Sequence, residues 1–429
     1  MEKETEMKFA ICNLGCKVNN YEANWYEEKL SEKYQRVDFH DFADIYIINS
    51  CTVTNMAGSK TRQMLHRAKK QNPDAVIVCV SCYSQMESEK IIDDCDIIIG
   101  SKDKKMLPQL IEQYLKDRQK INIVEKFNVT DFEDMPINNF NQTRAYLKIQ
   151  DGCNQFCSYC VIPYARGRER CLDGDSVIRQ AKKLVEAGHI EIVLTGIHTG
   201  RWHDGENDLT ALMKRMLNEV EGLKRIRLSS IEMTEITDEL IELIANDDRV
   251  ARHLHIPLQV GNDRLLKLNN RPYTTEDYYN RISYIRSRIE NVSISSDVIA
   301  GLPTETDEEF DQTAQFIKKC NLSFLHAFPY ACKQHTVDAT LKPQTPEIKK
   351  KERTAVLTEL SKNLLSQFCD KFIGKTVDVV FETEEDGIIN GHSSEYVVVK
   401  AKGDVNQCHT MQKVLITKKN GTELYGEIV

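Results

Sequence analysis

The sequence predicts an α/β protein in three parts: an N-terminal parallel-sheet α/β domain, a central partial (β/α)6 barrel and a small C-terminal all-β barrel. Three observations predict it. Apolar runs alternate with amphipathic helical stretches up to about residue 115, the pattern of a parallel sheet covered by helices. Six further apolar runs, each followed by a helical pattern, recur from Thr143 onward. The last stretch, of about sixty residues, consists of short apolar runs broken by Gly and Asn turns.

In the first part, spanning 7–116, "KFAICNLG" leads into the helix-like "NYEANWYEEKLSEK", "ADIYIINS" into "SKTRQMLHRAKKQ", and "DAVIVCVS" follows. Residues 117–142 are polar and mixed and read as a linker. The second part, 139–369, carries the runs "AYLKIQ", "EIVLTGI", "RIRLSS", "HLHIPLQ", "SISSDVIAG" and "LSFLHAFPY". Barrel chemistry sits at the C-terminal ends of strands, and Cys153 lies just past the first of them. A charged helix, roughly 346–373, leads to the third part, 371–429, where "KTVDVVFE", "EYVVVKAK" and "QKVLITKK" read as strands of an OB-like barrel. Within the helix, "EIKKKER" reads as a solvated face.

The chain has 429 residues, 41% hydrophobic and 28% charged, with a formal charge of −8. That balance excludes a protein that wraps nucleic acid over its whole surface and leaves room for a local basic face. No apolar run is long enough to span a bilayer, and the start "MEKETEMKFA" lacks a signal-peptide core, so a cytoplasmic location without a membrane is expected. Fourteen cysteines in such a chain point to metal binding or catalysis more than to disulfides. Cys95, Cys320, Cys369 and Cys408 have no partners at ligand spacing and read as core residues.

Residues 150–161, "QDGCNQFCSYCV", gather Cys153, Cys157 and Cys160 in eight positions with no fourth nearby. Structural zinc takes four ligands; three thiolates suit a four-iron cluster that keeps one iron open. Zinc with a distant fourth ligand is the competing reading. A second set lies in the first part: Cys16 in "NLGCKVNNYE", Cys51 in "IINSCTVTN" and Cys82 in "VCVSCYSQ", each just past a predicted strand. Carboxyl ends of parallel strands share one sheet edge, where ligands bind, so these thiols can converge. Independent structural cysteines are the alternative. Cys79, inside an apolar run, and Cys12 read as core, with Cys12 still competing with Cys16.

The C-x3-C-x2-C loop after a first barrel strand resembles that of the radical S-adenosylmethionine enzymes. The resemblance extends to "LTGIHTG", "SSIE", "HIPLQVG" and "DVIAGLPTET", and implies cofactor contacts at Gly196, Glu232, Gln259 and Gly301. Ordinary strand-to-helix turns are the alternative for each. With the second cysteine set and the C-terminal barrel, the whole chain resembles the methylthiotransferases: an N-terminal three-cysteine domain, a radical S-adenosylmethionine core and a TRAM barrel. "LGCKVNNYE", "NSCTVTN", "RAYLKIQDGC", "EIVLTGIHTG" and "HAFPY" look most like the branch acting on N6-threonylcarbamoyladenosine beside the tRNA anticodon. The resemblance implies two [4Fe-4S] clusters, on Cys16, Cys51 and Cys82 and on Cys153, Cys157 and Cys160. It also implies S-adenosylmethionine as radical source and methyl donor, a tRNA anticodon loop as substrate, and an electron donor such as flavodoxin or ferredoxin. Methylthiolation of isopentenyladenosine, and a non-catalytic iron–sulfur RNA-binding sensor, are the rival readings. The sequence departs from the family pattern at Ser81 and Thr304, where Gly is usual, at Cys171, where Ser is common, and in "ACKQHTVDAT", which replaces a Ser/Arg/Gly-Thr-Pro pattern.

Arg166, Arg168 and Arg170 in "YARGRER" lie near Tyr159 and Tyr164, a composition suited to phosphate contact and stacking on an unpaired base. A solvated loop paired to Glu169 and Asp173 is the competing reading. The basic helix 59–70, and Lys400, Lys402, Lys413, Lys418 and Lys419 of the C-terminal part, are further candidate basic faces.

Overall fold

The computed structural model describes residues 7–125 and 131–429. The chain divides into two compact units: Met1–Ile137 with Gln150–Phe156 and Cys160–Leu172, and Asn138–Ile149 with Cys157–Tyr159 and Asp173–Val429.

The first unit is built on a parallel sheet of six strands: β1 (Lys8–Asn13), β2 (Gln35–Arg36), β3 (Ile45–Ser50), β4 (Val76–Ser81), β5 (Ile97–Ile99) and β6 (Ile121–Asn122), in the order β2-β1-β3-β4-β5-β6. Every residue of β3 and β4 is buried, as continuous apolar runs predict for central strands covered on both faces. The covering helices are α1 (Lys17–Leu30), α2 (Asn55–Gln71), α3 (Cys82–Glu87) and α4 (Leu107–Asp117). The stretch read as a linker is structured in part. β6 pairs with β5, Met135 and Ile137 are fully buried, and the Tyr21 hydroxyl donates to the Met135 carbonyl at 2.8 Å. Residues 126–130 of that stretch lie outside the described residues.

Next along the chain, β7 (Arg144–Lys148) belongs to the second unit, whereas β8 (Gln150–Asp151), α5 (Ile162–Arg166) and β9 (Arg170–Cys171) belong to the first. The second unit then continues through α6 (Gly174–Glu186), β10 (Glu191–Thr195), the hairpin β11 (His203–Asp204) and β12 (Asn207–Asp208), α7 (Leu209–Glu219), β13 (Arg225–Leu228), α8 (Asp238–Asn246) and β14 (His253–His255). It goes on through α9 (Asp263–Leu268), α10 (Thr275–Arg288), β15 (Ser293–Ala300), α11 (Asp307–Lys319) and β16 (Phe324–Pro329). Six of these helices begin on a side chain that accepts a backbone N–H three residues on: Asp173, Asp208, Thr237, Asn262, Thr274 and Thr306. Each cap fixes where a strand-to-helix loop turns. β7, β10 and β13 pair in parallel, as do β14, β15 and β16, and the Ser230–His255 bridge joins the two sets. The result is the predicted six-stranded partial barrel.

Helix α12 (Glu347–Asp370) leads to the closed barrel β17 (Thr376–Glu385), β18 (Ile388–Ser393), β19 (Val398–Lys402), β20 (Met411–Asn420) and β21 (Glu423–Ile428), ordered β17-β18-β19-β21-β20. Within α12 the "EIKKKER" face is not wholly solvated. Lys350 and Arg353 are buried, and Arg353 pairs with Glu305 at 2.5 Å and with Asp307 at 2.7 Å. The small barrel is held to the N-terminal ends of the six strands. Arg225 and Arg227, both on β13 and buried, bind the Glu191 carboxylate and donate to the carbonyls of Asp378, His392, Ser393 and Ser394. Tyr396 stacks between His253 and His392, each 4.8 Å away, under the guanidinium groups of Arg144 and Arg227. Cys95, Cys320, Cys369, Cys408 and Cys79 are all buried; Cys12 is half-buried.

Candidate functional site

Cys16 precedes α1 directly after β1, Cys51 follows β3, and Cys82 opens α3 after β4. These strands are parallel neighbours, so the three turns share one sheet edge. One side chain ties them. Asn19 Oδ1 accepts from Cys16 Sγ at 3.3 Å, while Asn19 Nδ2 donates to the Ser50 carbonyl, beside Cys51, at 3.2 Å and to Ser81 Oγ, beside Cys82, at 2.9 Å. Gly15 permits this approach: a Cβ there would lie 2.3 Å from Asn19 Cγ. Cys51 and Cys82 are buried and Cys16 is exposed. Burial, then the neighbouring Cys82 thiol, push Cys51 up to about 12. A metal that takes these groups as thiolates must displace their protons.

Arg166 enters this site from the first unit's own segment 160–172. Its Nε donates to Cys82 Sγ at 3.2 Å, Nη1 to Glu22 and Asp151 at 3.1 and 3.2 Å, and Nη2 to Asn19 Oδ1 at 3.0 Å. It is fully buried, which corrects the expectation that it faces RNA: its five N–H groups are directed at protein atoms. Arg170 is corrected likewise. It is 6% exposed, paired with Asp151 at 3.2 Å and bonded to the carbonyls of Arg166 and Arg168. Lys104, also fully buried, completes the group at 2.5 Å from Glu22. Arg168 alone of the three is exposed, 4.5 Å over the Phe156 ring, and Phe156 packs edge-on to the exposed Tyr164. On α2, Lys60, Arg62, Arg67, Lys69 and Lys70 are exposed.

The second cysteine set occupies the loop after β8. The Cys153 N–H donates to the Gly167 carbonyl at 3.0 Å, and Cys153 Sγ accepts from the Gln155 N–H at 3.4 Å. In the second unit, Cys157 Sγ accepts from Arg271 Nη1 at 3.4 Å, and Arg271 grips the Glu232 carboxylate and the Tyr273 hydroxyl. Burial pushes the Cys157 thiol up, and Arg271 opposes it. Cys153, Cys157 and Cys160 are all half-buried. Among the described residues no three His, Cys, Asp or Glu are grouped to hold a single metal ion. Three thiols with an arginine N–H on one sulfur are the donor chemistry that an iron–sulfur cage would take, each thiolate on a different iron.

Gly196 follows β10 and is half-buried. Gln259 takes a left-handed backbone, φ 67°, and pairs through its backbone with β15. Gly301 has φ 78°, and a Cβ there would lie 2.5 Å from Lys350 Cγ, so packing by α12 itself requires glycine. Its N–H donates to Glu305 at 2.8 Å, and burial raises that carboxyl to about 7 against the pull of Arg353. The sequence reading missed Asn19, Glu22, Lys104, Asp151 and Arg271. The first two lie three and six residues past Cys16, on the first turns of α1, and Asp151 lies two before Cys153; that spacing was the available signal. Lys104 and Arg271 are distant in sequence from the six candidate ligand cysteines.

Residues 147–317 match the Radical SAM superfamily, and residues 8–100 match a family described as uncharacterized protein family UPF0004. The chain is 41% identical to threonylcarbamoyladenosine tRNA methylthiotransferase MtaB of Bacillus subtilis, covering 98% of this chain and 96% of that protein. It is 36% identical to MtaB of Aquifex aeolicus (92% and 97% covered), and 32% identical to tRNA-2-methylthio-N(6)-dimethylallyladenosine synthase of Clostridium novyi (98% and 96%). Among solved structures, the radical S-adenosylmethionine methyltransferase TsrM of Kitasatospora setae aligns with a TM-score of 0.54 at 14% identity, covering 88% of this chain and 79% of that one. At that identity the likeness is one of fold.

Proposed function

The chain belongs to the radical S-adenosylmethionine tRNA methylthiotransferase family, and from that membership we propose that it transfers a methylthio group to C2 of N6-threonylcarbamoyladenosine next to the tRNA anticodon. The observation that carries the choice of nucleoside is the 41% identity to a threonylcarbamoyladenosine enzyme, against 32% to a dimethylallyladenosine enzyme, at equal coverage. Cys153, Cys157 and Cys160 would hold one [4Fe-4S] cluster, and Cys16, Cys51 and Cys82 a second. Bound there with S-adenosylmethionine, the first cluster would supply radical chemistry and the second would supply the sulfur for transfer.

The chain's own residues prepare both sites. Asn19 aligns three turns, Arg166 and Arg271 place cations on the Cys82 and Cys157 sulfurs, and Gly196, Glu232, Gln259 and Gly301 line strand ends proposed to contact S-adenosylmethionine. Glu232 is held by Arg271, so that pair must loosen or reorient if the carboxylate is to meet the cofactor. The exposed Arg168, stacked on half-buried Phe156, is the residue of its loop still proposed to meet RNA. The domain division 7–116, 139–369 and 371–429, and reduction by a flavodoxin- or ferredoxin-type donor, complete the proposal.

The test is chemical. Replacing Cys16, Cys51 and Cys82 by Ala should leave cleavage of S-adenosylmethionine to 5′-deoxyadenosine intact while abolishing methylthiolation of tRNA. Replacing Cys153, Cys157 and Cys160 should abolish both. Nucleoside mass spectrometry of the product reads the substrate: a methylthio group on isopentenyladenosine would reject the proposed nucleoside, and cofactor cleavage absent from the intact protein would favour a non-catalytic sensor.

A further inference from the structure

We propose that Arg166 is a positioning residue that raises the reduction potential of the cluster on Cys16, Cys51 and Cys82, by aiming its Nε–H at Cys82 Sγ and fixing a positive charge beside it. The inference rests on the reading that these three thiols carry a cluster.

Three features support it. The guanidinium cannot turn, because Nη1 and Nη2 are bonded to Glu22, Asp151, Asn19 and Ser81, which leaves Nε directed at sulfur at 3.2 Å. Its carboxylates are shared with other cations, Glu22 with Lys104 at 2.5 Å and Asp151 with Arg170 at 3.2 Å, and Arg166 is the cation of the group bonded to a sulfur. Partly exposed Glu133 approaches the group only at 3.9 Å from Lys104. The whole arrangement is buried, where a fixed charge acts at low dielectric. Reduction adds an electron to the cluster, and both an N–H donor to a ligand sulfur and a nearby cation stabilise the more negative state. Lysine can supply the charge, but its three donors radiate from one nitrogen and do not reach the partners that the three nitrogens of the planar fork serve.

The experiment uses full-length protein with Cys153, Cys157 and Cys160 replaced by Ala, so that one cluster is read, reconstituted without oxygen and titrated electrochemically with EPR detection. Arg166→Gln should lower the reduction equilibrium constant tenfold or more, about 59 mV for one electron. Arg166→Lys should fall between the two. Iron, sulfide and circular dichroism verify loading and fold; where Arg166→Gln does not fold, Arg166→Lys decides, and its potential must still lie below the parent's. A parent-like potential in a loaded, folded variant overturns the inference. A parent that binds no iron or sulfide rejects the cluster reading instead.

Discussion

Ser81 shows how a single residue can carry strain at a site. Its backbone sits at φ 87° and ψ −146°, a region favourable only to glycine, which costs about 1–3 kcal/mol. Its hydroxyl is bonded to Asn19 and Arg166, but both donors have other acceptors nearby: Asn49 and the Ser50 carbonyl for the first, Glu22 for the second. Losing the hydroxyl is therefore the smaller effect, and backbone strain decides. Ser81→Gly is expected to be at least about 1 kcal/mol more stable than Ser81→Ala in urea unfolding; equal stabilities would show that the positive φ carries no strain at this position. The sequence displayed the departure from glycine at Ser81 and at Thr304, and both adopt positive φ, 87° and 64°. What it did not display was the dihedral angle, because that is set by contacts made across many residues. Arg166 was misplaced for the same reason. Three arginines in seven residues read as a basic loop, and only folding reveals that two point inward.

At the level of elements, the long apolar runs were legible. All six barrel strands and the three strands that lead into Cys16, Cys51 and Cys82 fall where their apolar runs lie. β5 and β6, of three and two residues, were not, since so short a run has no periodicity. β13 was read as a strand, yet the meaning of its alternating arginines was hidden. "RIRL" suggests charged groups facing water, whereas the C-terminal barrel covers them and the Glu191 carboxylate pairs with both. Burial alone would raise Glu191, but Arg227 and Arg225 outweigh it and hold the carboxyl at about 2, below its usual 4.5. A depressed carboxyl stabilises the fold above its unfolded pKa and loses that contribution as pH falls through the folded one, so the window is pH 4.5 to 2. The shift corresponds to about 3 kcal/mol. Glu191→Gln should thus cost about 3 kcal/mol at pH 7, and the deficit should shrink as pH falls below 4.5; urea midpoints across that range measure it. A deficit independent of pH would assign the cost to packing.

For the whole molecule, the second unit joins two architectures through one aromatic plug. Tyr396 stacks on His253 and His392 beneath two guanidinium groups, so Tyr396→Ala should remove about 3 kcal/mol of docking energy. In calorimetry the C-terminal barrel, which has its own core around Phe381, Val399 and Leu424, should then melt as a separate transition; a single cooperative transition would show that α12 and the arginine carbonyl bonds suffice. No helix among the described residues is long and apolar enough to cross a membrane.

The first unit is also discontinuous in the chain. Arg166, which pairs with Glu22 beside the cysteines, and Asp151 and Arg170, which pair with it and with each other in the same buried group, are encoded after the first barrel strand has been made. A ribosome that has released only residues 1–137 has therefore produced the three thiols without their guanidinium partner. Asn19 can tie the three turns before then, but the Cys82 sulfur acquires its buried cation only once a later stretch of polypeptide has been made.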